Sequence, residues 1–387
     1  MAAERAPGRT IVSVVGTRPE AIKLRPVVEA LHRHSGFEQR ILLTGQHCGL
    51  TSFFDALPGS AVEQLALNPA EQSAGELCEA IQEELCSRFM RDTADLVLVQ
   101  GDTSSAYAGA LAARERGIPL GHVEAGLRSF DLEQPWPEEG YRMAIDSLSD
   151  LLFAPTEAAV RNLQADQAVR GAVHQTGNSG IDALLQVLAE TGPAPPPPNG
   201  RKRILLTCHR RENRGAPLGS LASACRRLVR ELPVEIVLPL HSSAVIREPL
   251  QRSLGREPHI HLLEPLTHGE MVAQMAGSWL IITDSGGIQE EAPALGKPVL
   301  VLRNVTERPE ALVSANAELV GTDPDRIFAA VASLLHDEAK YRRMAQPRFP
   351  FGDGRASLRI VEAIVQFLGR PPEQRRLAAP LPTPALV

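Results

Sequence analysis

The run Ile11-Val12-Ser13-Val14-Val15 passes directly into Gly16-Thr17-Arg18-Pro19-Glu20, with Lys23 further along, and this junction decides the fold class. A continuous β-branched run of that length suits a strand covered on both faces. Glycine permits close backbone approach, proline suits the first helical position, and a helix N-terminus favours an anion. The segment therefore reads as strand, tight turn and helix, with Arg18 and Lys23 as cations for a phosphate or pyrophosphate. Its other reading is a tight turn carrying solvated basic residues. No Gly-x-Gly-x-x-Gly follows the strand, so the dinucleotide fingerprint is missing and a redox dehydrogenase loses ground.

Runs of the same kind recur outward from this point, at Ile41 to Leu43, Leu96 to Val99 and Leu151 to Phe153. Between them Leu77, Ile81, Leu85 and Phe89 mark one amphipathic helix, and Ala106 to Ala113 another. This βαβ alternation implies a parallel sheet. It breaks at Thr191 to Gly200, where Pro193 and Pro195 to Pro198 remove backbone donors. It resumes with Ile204 to Thr207, Ile236 to Leu238, Ile260 to Leu263, Leu280 to Thr283 and Val299 to Leu302.

A chain of 387 residues also exceeds what one core usually organises. The expected division is a Rossmann-like domain at 8–185, a Pro-rich linker at 186–200, and a second Rossmann-like domain at 201–354. A closing helix at 355–369, with Leu358, Ile360, Val361, Ile364, Val365 and Leu368 along one stripe, is expected to pack back on the first domain. The proline-rich tail at 370–387 is expected to be disordered. The fold class is α/β, with two parallel sheets facing a central cleft at their strand carboxyl ends.

A formal charge of −6 argues against a general nucleic-acid binder. The five cysteines, Cys48, Cys78, Cys86, Cys208 and Cys225, show neither CxxC spacing nor a His-Cys cluster, and read as buried free thiols with no metal site. Met1 to Arg9 lacks the apolar core of a signal peptide, and no apolar run approaches the ~20 residues that span a bilayer. The expected location is the cytoplasm, with no membrane partner.

Five segments carry candidate chemistry. Gln100-Gly101-Asp102-Thr103 and His122-Val123-Glu124-Ala125-Gly126-Leu127-Arg128 each put a carboxylate where a parallel strand gives way to a loop. Asp102 fits either a helix N-cap or a catalytic carboxylate, whereas Glu124 has no capping logic. In Pro135-Trp136-Pro137-Glu138-Glu139, Pro137 sits at a first helical turn, and the spacing of Glu138 to Arg142 permits an ion pair. Thr207-Cys208-His209-Arg210-Arg211-Glu212-Asn213 follows a strand and presents a histidine flanked by arginines. Thr283-Asp284-Ser285-Gly286-Gly287-Ile288-Gln289-Glu290-Glu291-Ala292-Pro293 is a strand, a small-residue turn and a helix start, a pattern of phosphate-binding backbone donors. Glu291 lies one turn further on, placed to accept from ribose hydroxyls.

Taken together, GTRPEAIK from Gly16, QGDT from Gln100, HVEAGLRS from His122, PWPEE from Pro135, TGN at Thr176 with Ile181-Asp182, HRREN from His209, TDSGGIQEEAP from Thr283 and Glu307-Arg308-Pro309-Glu310 resemble the non-hydrolysing UDP-N-acetylglucosamine 2-epimerases. The segments run in family order from about Val12 to Leu368. The resemblance implies two domains of the glycosyltransferase-B type, often dimeric, that interconvert UDP-GlcNAc and UDP-ManNAc without cofactor or metal. By similarity, Asp102, Glu124 and Glu138 are acid/base candidates, and His209 assists the departing diphosphate. Arg18, Lys23, Arg142 and Arg308 match sugar-nucleotide contacts, and Ser285, Gly286, Gly287 and Glu291 match the UDP cradle.

Three departures from the family pattern stand out. Gln46-His47 continues as Cys48-Gly49-Leu50 without the usual arginine, and a second arginine expected after Leu67-Asn68 is replaced in the region of Ser73. Those losses imply weak or absent activation by substrate. Tyr141 stands where the family has asparagine before Arg142, and Arg348-Phe349-Pro350-Phe351-Gly352-Asp353-Gly354 replaces an Asn-Pro-Tyr-Gly-Asp-Gly. Competing readings are a hydrolysing epimerase, a glycosyltransferase of the same architecture, and a silent UDP-sugar binding module.

Overall fold

Alternating strands and helices build two parallel sheets. The computed structural model describes residues 8–55, 61–67, 73–133, 136–210, 213, 215–306, 308–371 and 375. Its contacts divide the chain into two units, one ending at Ala183 and taking up the chain again from Gly352, the other spanning Leu184–Phe351.

In chain order the elements are β1 (Arg9–Val15), α1 (Arg18–His32), β2 (Phe37–Leu43), β3 (Ala61–Gln64), α2 (Ala74–Arg91), β4 (Leu96–Gln100), α3 (Ser104–Glu115), β5 (Leu120–Val123), α4 (Glu138–Leu148), β6 (Leu151–Ala154), α5 (Glu157–Ala165), β7 (Ala172–Gln175) and α6 (Ser179–Thr191). They continue with β8 (Lys202–Thr207), α7 (Ala216–Glu231), β9 (Val234–Pro239), α8 (Ala244–Leu254), β10 (Ile260–Leu263), α9 (His268–Gly277), β11 (Leu280–Thr283), α10 (Gly286–Ala294), β12 (Val299–Val301), α11 (Pro309–Val313), β13 (Ala317–Leu319), α12 (Pro324–His336), α13 (Glu338–Met344) and α14 (Ala356–Gly369).

The first sheet has the order β3-β2-β1-β4-β5-β6-β7 and the second β10-β9-β8-β11-β12-β13, with every paired strand parallel. Strands covered on both faces need apolar residues at every position, and β1 shows why. Ile11 and Val15 pack with α1 and α14, while Val12 and Val14 pack on the other face with α2 and α3. In the second sheet Ile204, Leu206, Ile236, Leu238, Leu280 and Ile282 share a core with α7, α8 and α12.

The strands that escaped the sequence reading are β3, β7 and β13. All three are edge strands, half-buried or exposed at most positions, so they lack the continuous apolar run that burial imposes.

Residues 186–191, expected to open the linker, are instead helical. Ile181, Leu184 and Val187 are buried along α6, so the helix continues until Gly192, at φ 67°, and Pro193 end it. The boundary between units falls inside α6, and residues 352–354 group with the first unit. Within that unit α14 lies against α1 and joins its core, but through Ile360, Val361, Ala363, Ile364, Phe367 and Leu368. Leu358 and Val365, assigned to the buried stripe, are exposed instead. Of the 370–387 tail, 372–374 and 376–387 lie outside the described residues. Four cysteines are buried free thiols, whereas Cys48 is exposed.

Candidate active site

Each sheet reverses its strand order once. The neighbours at the reversal are β1 and β4 in the first sheet and β8 and β11 in the second. Connections leave these pairs in opposite directions, which opens a ligand-binding crevice at the strand carboxyl ends.

In the first unit, Gly16 leaves β1 so close to α3 that a Cβ there would stand 1.9 Å from Ser105 Oγ, which explains the glycine. Glu20, in the first turn of α1, is buried and accepts from the backbone amides of Gly16 at 2.5 Å and Thr17 at 3.2 Å, and from the Thr103 hydroxyl. It thus ties the β1–α1 turn to the β4–α3 turn. Burial pushes its carboxyl up to about 7 despite these donors. The sequence reading passed over Glu20, because a glutamate in a first helical turn is ordinary capping chemistry; only its 1 % exposure marks it.

Glu124 follows β5 directly. Its backbone lies in the left-handed region at φ 72°, uncommon for a residue with a side chain and a mark of functional sites. Both carboxylate oxygens face the Lys23 ammonium, and Gln100 Nε2 donates to Oε2. Lys23, read as a phosphate contact, is therefore engaged by the carboxylate.

Asp102 is not the helix N-cap, since Thr103 caps α3 by accepting from the Ala106 amide. The carboxylate instead meets Arg142, whose Nε donates at 3.0 Å. The pairing of Glu138 with Arg142 allowed by their spacing is not made: Nη1 of Arg142 goes to Glu139 at 2.9 Å. Glu139 is buried and accepts from the amides of Ser129 and Phe130, so it holds both the guanidinium and the β5–α4 loop. Glu138 begins α4, with Pro137 as its N-cap, and its Oε2 is buried with no hydrogen-bond partner. A buried acceptor without a protein partner is open to a ligand or an ordered water. Tyr141 stacks on Tyr107 at 4.8 Å.

Arg18 is exposed, and its amide donates to His47 Nδ1 at 3.3 Å. Pro135 and Asn68 lie outside the described residues, as do Arg211, Glu212 and Glu307.

In the second unit Asp284 directly follows β11, is fully buried and gathers the β8 turn. It accepts from the amides of His209 and Arg210, from Asn213 Nδ2 at 2.8 Å, and lies 2.9 Å from His209 Nδ1. Burial alone would raise its carboxyl, but these partners, His209 foremost, hold it down to about 2. Asp284 therefore orients the imidazole, a role the motif reading did not assign.

Ser285 is the N-cap residue of α10, and Gly286 and Gly287 form the first turn. A Cβ on Gly286 would lie 3.8 Å from Arg308 Nη2 and 3.9 Å from Arg210 Nη2, so two guanidiniums flank the helix N-terminus. Arg308 is itself anchored on the buried Glu290 through Nε. Glu291 is half-buried on the next turn. Backbone amides, a helix dipole and two arginines form an anion cradle. Among the described residues no group of three His, Cys, Asp or Glu side chains could hold a metal ion, and no helix is long and apolar enough to cross a membrane.

A family model for UDP-N-acetylglucosamine 2-epimerase matches residues 29–365. The chain belongs to this family. The UDP-N-acetylglucosamine 2-epimerase of Bacillus subtilis is 40 % identical over 368 residues, 94 % of this chain and 97 % of that protein. The Escherichia coli K12 enzyme of the same name is 41 % identical over 370 residues, 92 % of this chain and 98 % of the relative. The crystal structure of the Neisseria meningitidis UDP-GlcNAc 2-epimerase bound to UDP-GlcNAc has a TM-score of 0.85 at 37 % identity, covering 92 % of this chain and all of that one. The UDP-GlcNAc 2-epimerase fold is thus shared across nearly the whole chain.

Proposed function

We propose that this epimerase interconverts UDP-GlcNAc and UDP-ManNAc by elimination and re-addition of UDP, without hydrolysis. The observation that carries this reading is the trio of carboxylates in the first unit, each in a different state of pairing. Asp102 is held by Arg142, Glu124 by Lys23, and Glu138 keeps one buried oxygen unpartnered.

Epimerisation at C2 needs a group that removes a proton from one face of the sugar and another that returns one to the opposite face. In the first step a carboxylate takes the C2 proton, the C1–O bond breaks, and UDP leaves with the bonding electrons, giving 2-acetamidoglucal. In the second the UDP oxygen adds back to C1 while an acid protonates C2 from the other side. The α10 N-terminus, with Arg210, Arg308 and the Asp284-oriented His209, is suited to the diphosphate that gains charge as it departs.

The uninterrupted Thr283 to Pro293 cradle supports retention of UDP over its release to solvent. A proton NMR time course with UDP-GlcNAc in heavy water tests this. UDP-ManNAc deuterated at C2 is the expected product. Free ManNAc with UDP would make the enzyme a hydrolysing one, turnover only with an added acceptor would make it a transferase, and binding without exchange would overturn the reading.

A further inference from the structure

We propose that His122 is a positioning residue, a double hydrogen-bond donor that fixes the Gly101 carbonyl and with it the adjoining Asp102. His122 lies on β5 with no exposed surface. Its Nδ1 is 2.7 Å from Asp146 Oδ1 and its Nε2 is 2.8 Å from the Gly101 carbonyl oxygen. A carbonyl oxygen only accepts, and so does a carboxylate. The other Asp146 oxygen receives the Arg128 guanidinium at 2.6 Å and the Gly126 amide at 3.2 Å, and a cation in that position favours the carboxylate over the neutral acid. Both ring nitrogens of His122 must then carry hydrogens, which makes the ring an imidazolium.

The surroundings balance that charge. Arg128 Nη2 reaches Asp166 at 3.3 Å, so two cations, His122 and Arg128, face two carboxylates, Asp146 and Asp166. A neutral ring would turn a bare nitrogen lone pair toward one of the two oxygens, an unmade bond at a fully buried ring.

What the ring grips gives it a role in the chemistry. Gly101 lies at φ 72°, and its amide donates to the Val123 carbonyl at 3.1 Å. Gly101 is therefore held at both ends, its amide by the Val123 carbonyl and its carbonyl, in the peptide that leads into Asp102, by His122. Helix α4 addresses Asp102 twice, directly through Arg142 and indirectly through Asp146, His122 and Gly101. Such supports hold a reacting group to the fraction of an ångström that chemistry demands.

The inference rests on the proposed acid/base role of Asp102, and two measurements separate the two claims. Ring-¹⁵N histidine NMR of the wild-type protein, with His122 assigned by its absence in His122→Gln, should show both His122 nitrogens protonated; one unprotonated nitrogen overturns the proposal. In His122→Gln, exchange of the C2 hydrogen of UDP-GlcNAc should slow by about 100-fold, the scale of one general acid–base contribution, while UDP affinity and KM stay within about twofold. Unchanged exchange overturns it, as does a parallel loss of rate and UDP affinity. If the variant does not fold, backbone-directed assignment of the wild-type ring decides by itself. Absence of exchange in the wild-type protein would instead defeat the epimerase reading, with the ring-nitrogen result still standing.

Discussion

The Lys23 ammonium stands 2.6 and 2.7 Å from the two oxygens of Glu124, joining the first turns of α1 to the end of β5. The Glu124 side chain is only 9 % exposed, and the lysine, with Gln100, offsets the cost of burying it there. Lys23→Met keeps the stem and removes the charge. We expect kcat to fall by about 100-fold, since a misplaced acid/base group forfeits that much. UDP affinity, which we propose rests on the second unit, should change far less. Steady-state kinetics beside a UDP titration checks this; an unchanged kcat would take the pair out of the chemistry.

Arg142 divides its guanidinium between Asp102 and Glu139. A lysine carries the same charge on a compact ammonium and lacks the planar fork that spans the two carboxylates. Arg142→Lys should therefore lower kcat by roughly 10-fold or more and weaken the charged contact to Glu139, which is 1 % exposed. A melting temperature lowered together with kcat is the expected result. Wild-type turnover in this variant would mean that the charge alone suffices.

Much of this architecture could be read from the chain, for a physical reason. Central strands such as β1, β4, β8 and β11 are buried on both faces and so spell continuous apolar runs, and their last residues carry the motifs. The edge strands β3, β7 and β13 left no such trace. Asp102 and Glu124 stand out in the sequence because they sit at strand ends, and Glu138 because it opens a helix behind Pro137. Their supports do not: Glu20 and Asp146 are helix residues that reach partners far away in sequence, and Glu139 reaches back across a loop to the Ser129 and Phe130 amides. Spacing even pointed to the wrong partner for Arg142, offering Glu138 where the fold selects Glu139 and Asp102. The Glu139 pair is a neighbouring spacing on the same helix, whereas the Asp102 pair is fixed by topology and no local pattern encodes it.

Arg308 links two properties of the second unit. Its Nε is held by Glu290, which is 4 % exposed, while Nη2 approaches the Gly286 turn. Arg308→Ala should weaken UDP binding by about 10-fold, or 1.4 kcal/mol, as expected for one lost charged contact to a phosphate. It should also lower the melting temperature by stranding a buried carboxylate. Calorimetric titration with UDP and a thermal melt read the two effects. A variant that melts lower yet binds UDP at wild-type strength would reduce Arg308 to a structural partner of Glu290.

Glu20 gives the first unit a pH dependence whose sign is fixed. Its carboxyl is pushed up from 4.5 to about 7, chiefly by burial, so the folded protein holds that proton more tightly than the unfolded chain does. The stability this contributes is fully present below about pH 4.5 and is lost as pH rises through about 7, a change on the order of 3 kcal/mol. Glu20→Gln keeps the shape and has nothing to titrate. Its amide can donate to the Thr103 hydroxyl, while its oxygen still accepts from Gly16 and Thr17. Chemical denaturation of both proteins at matched pH values cancels the titration of every other group. The variant should gain on the wild type steadily between pH 4.5 and pH 7 and hold its advantage above. A difference that stays constant across that range would mean that Glu20 ionises in the folded protein as readily as in the unfolded one, with the three donors from Gly16, Thr17 and Thr103 fully offsetting its burial.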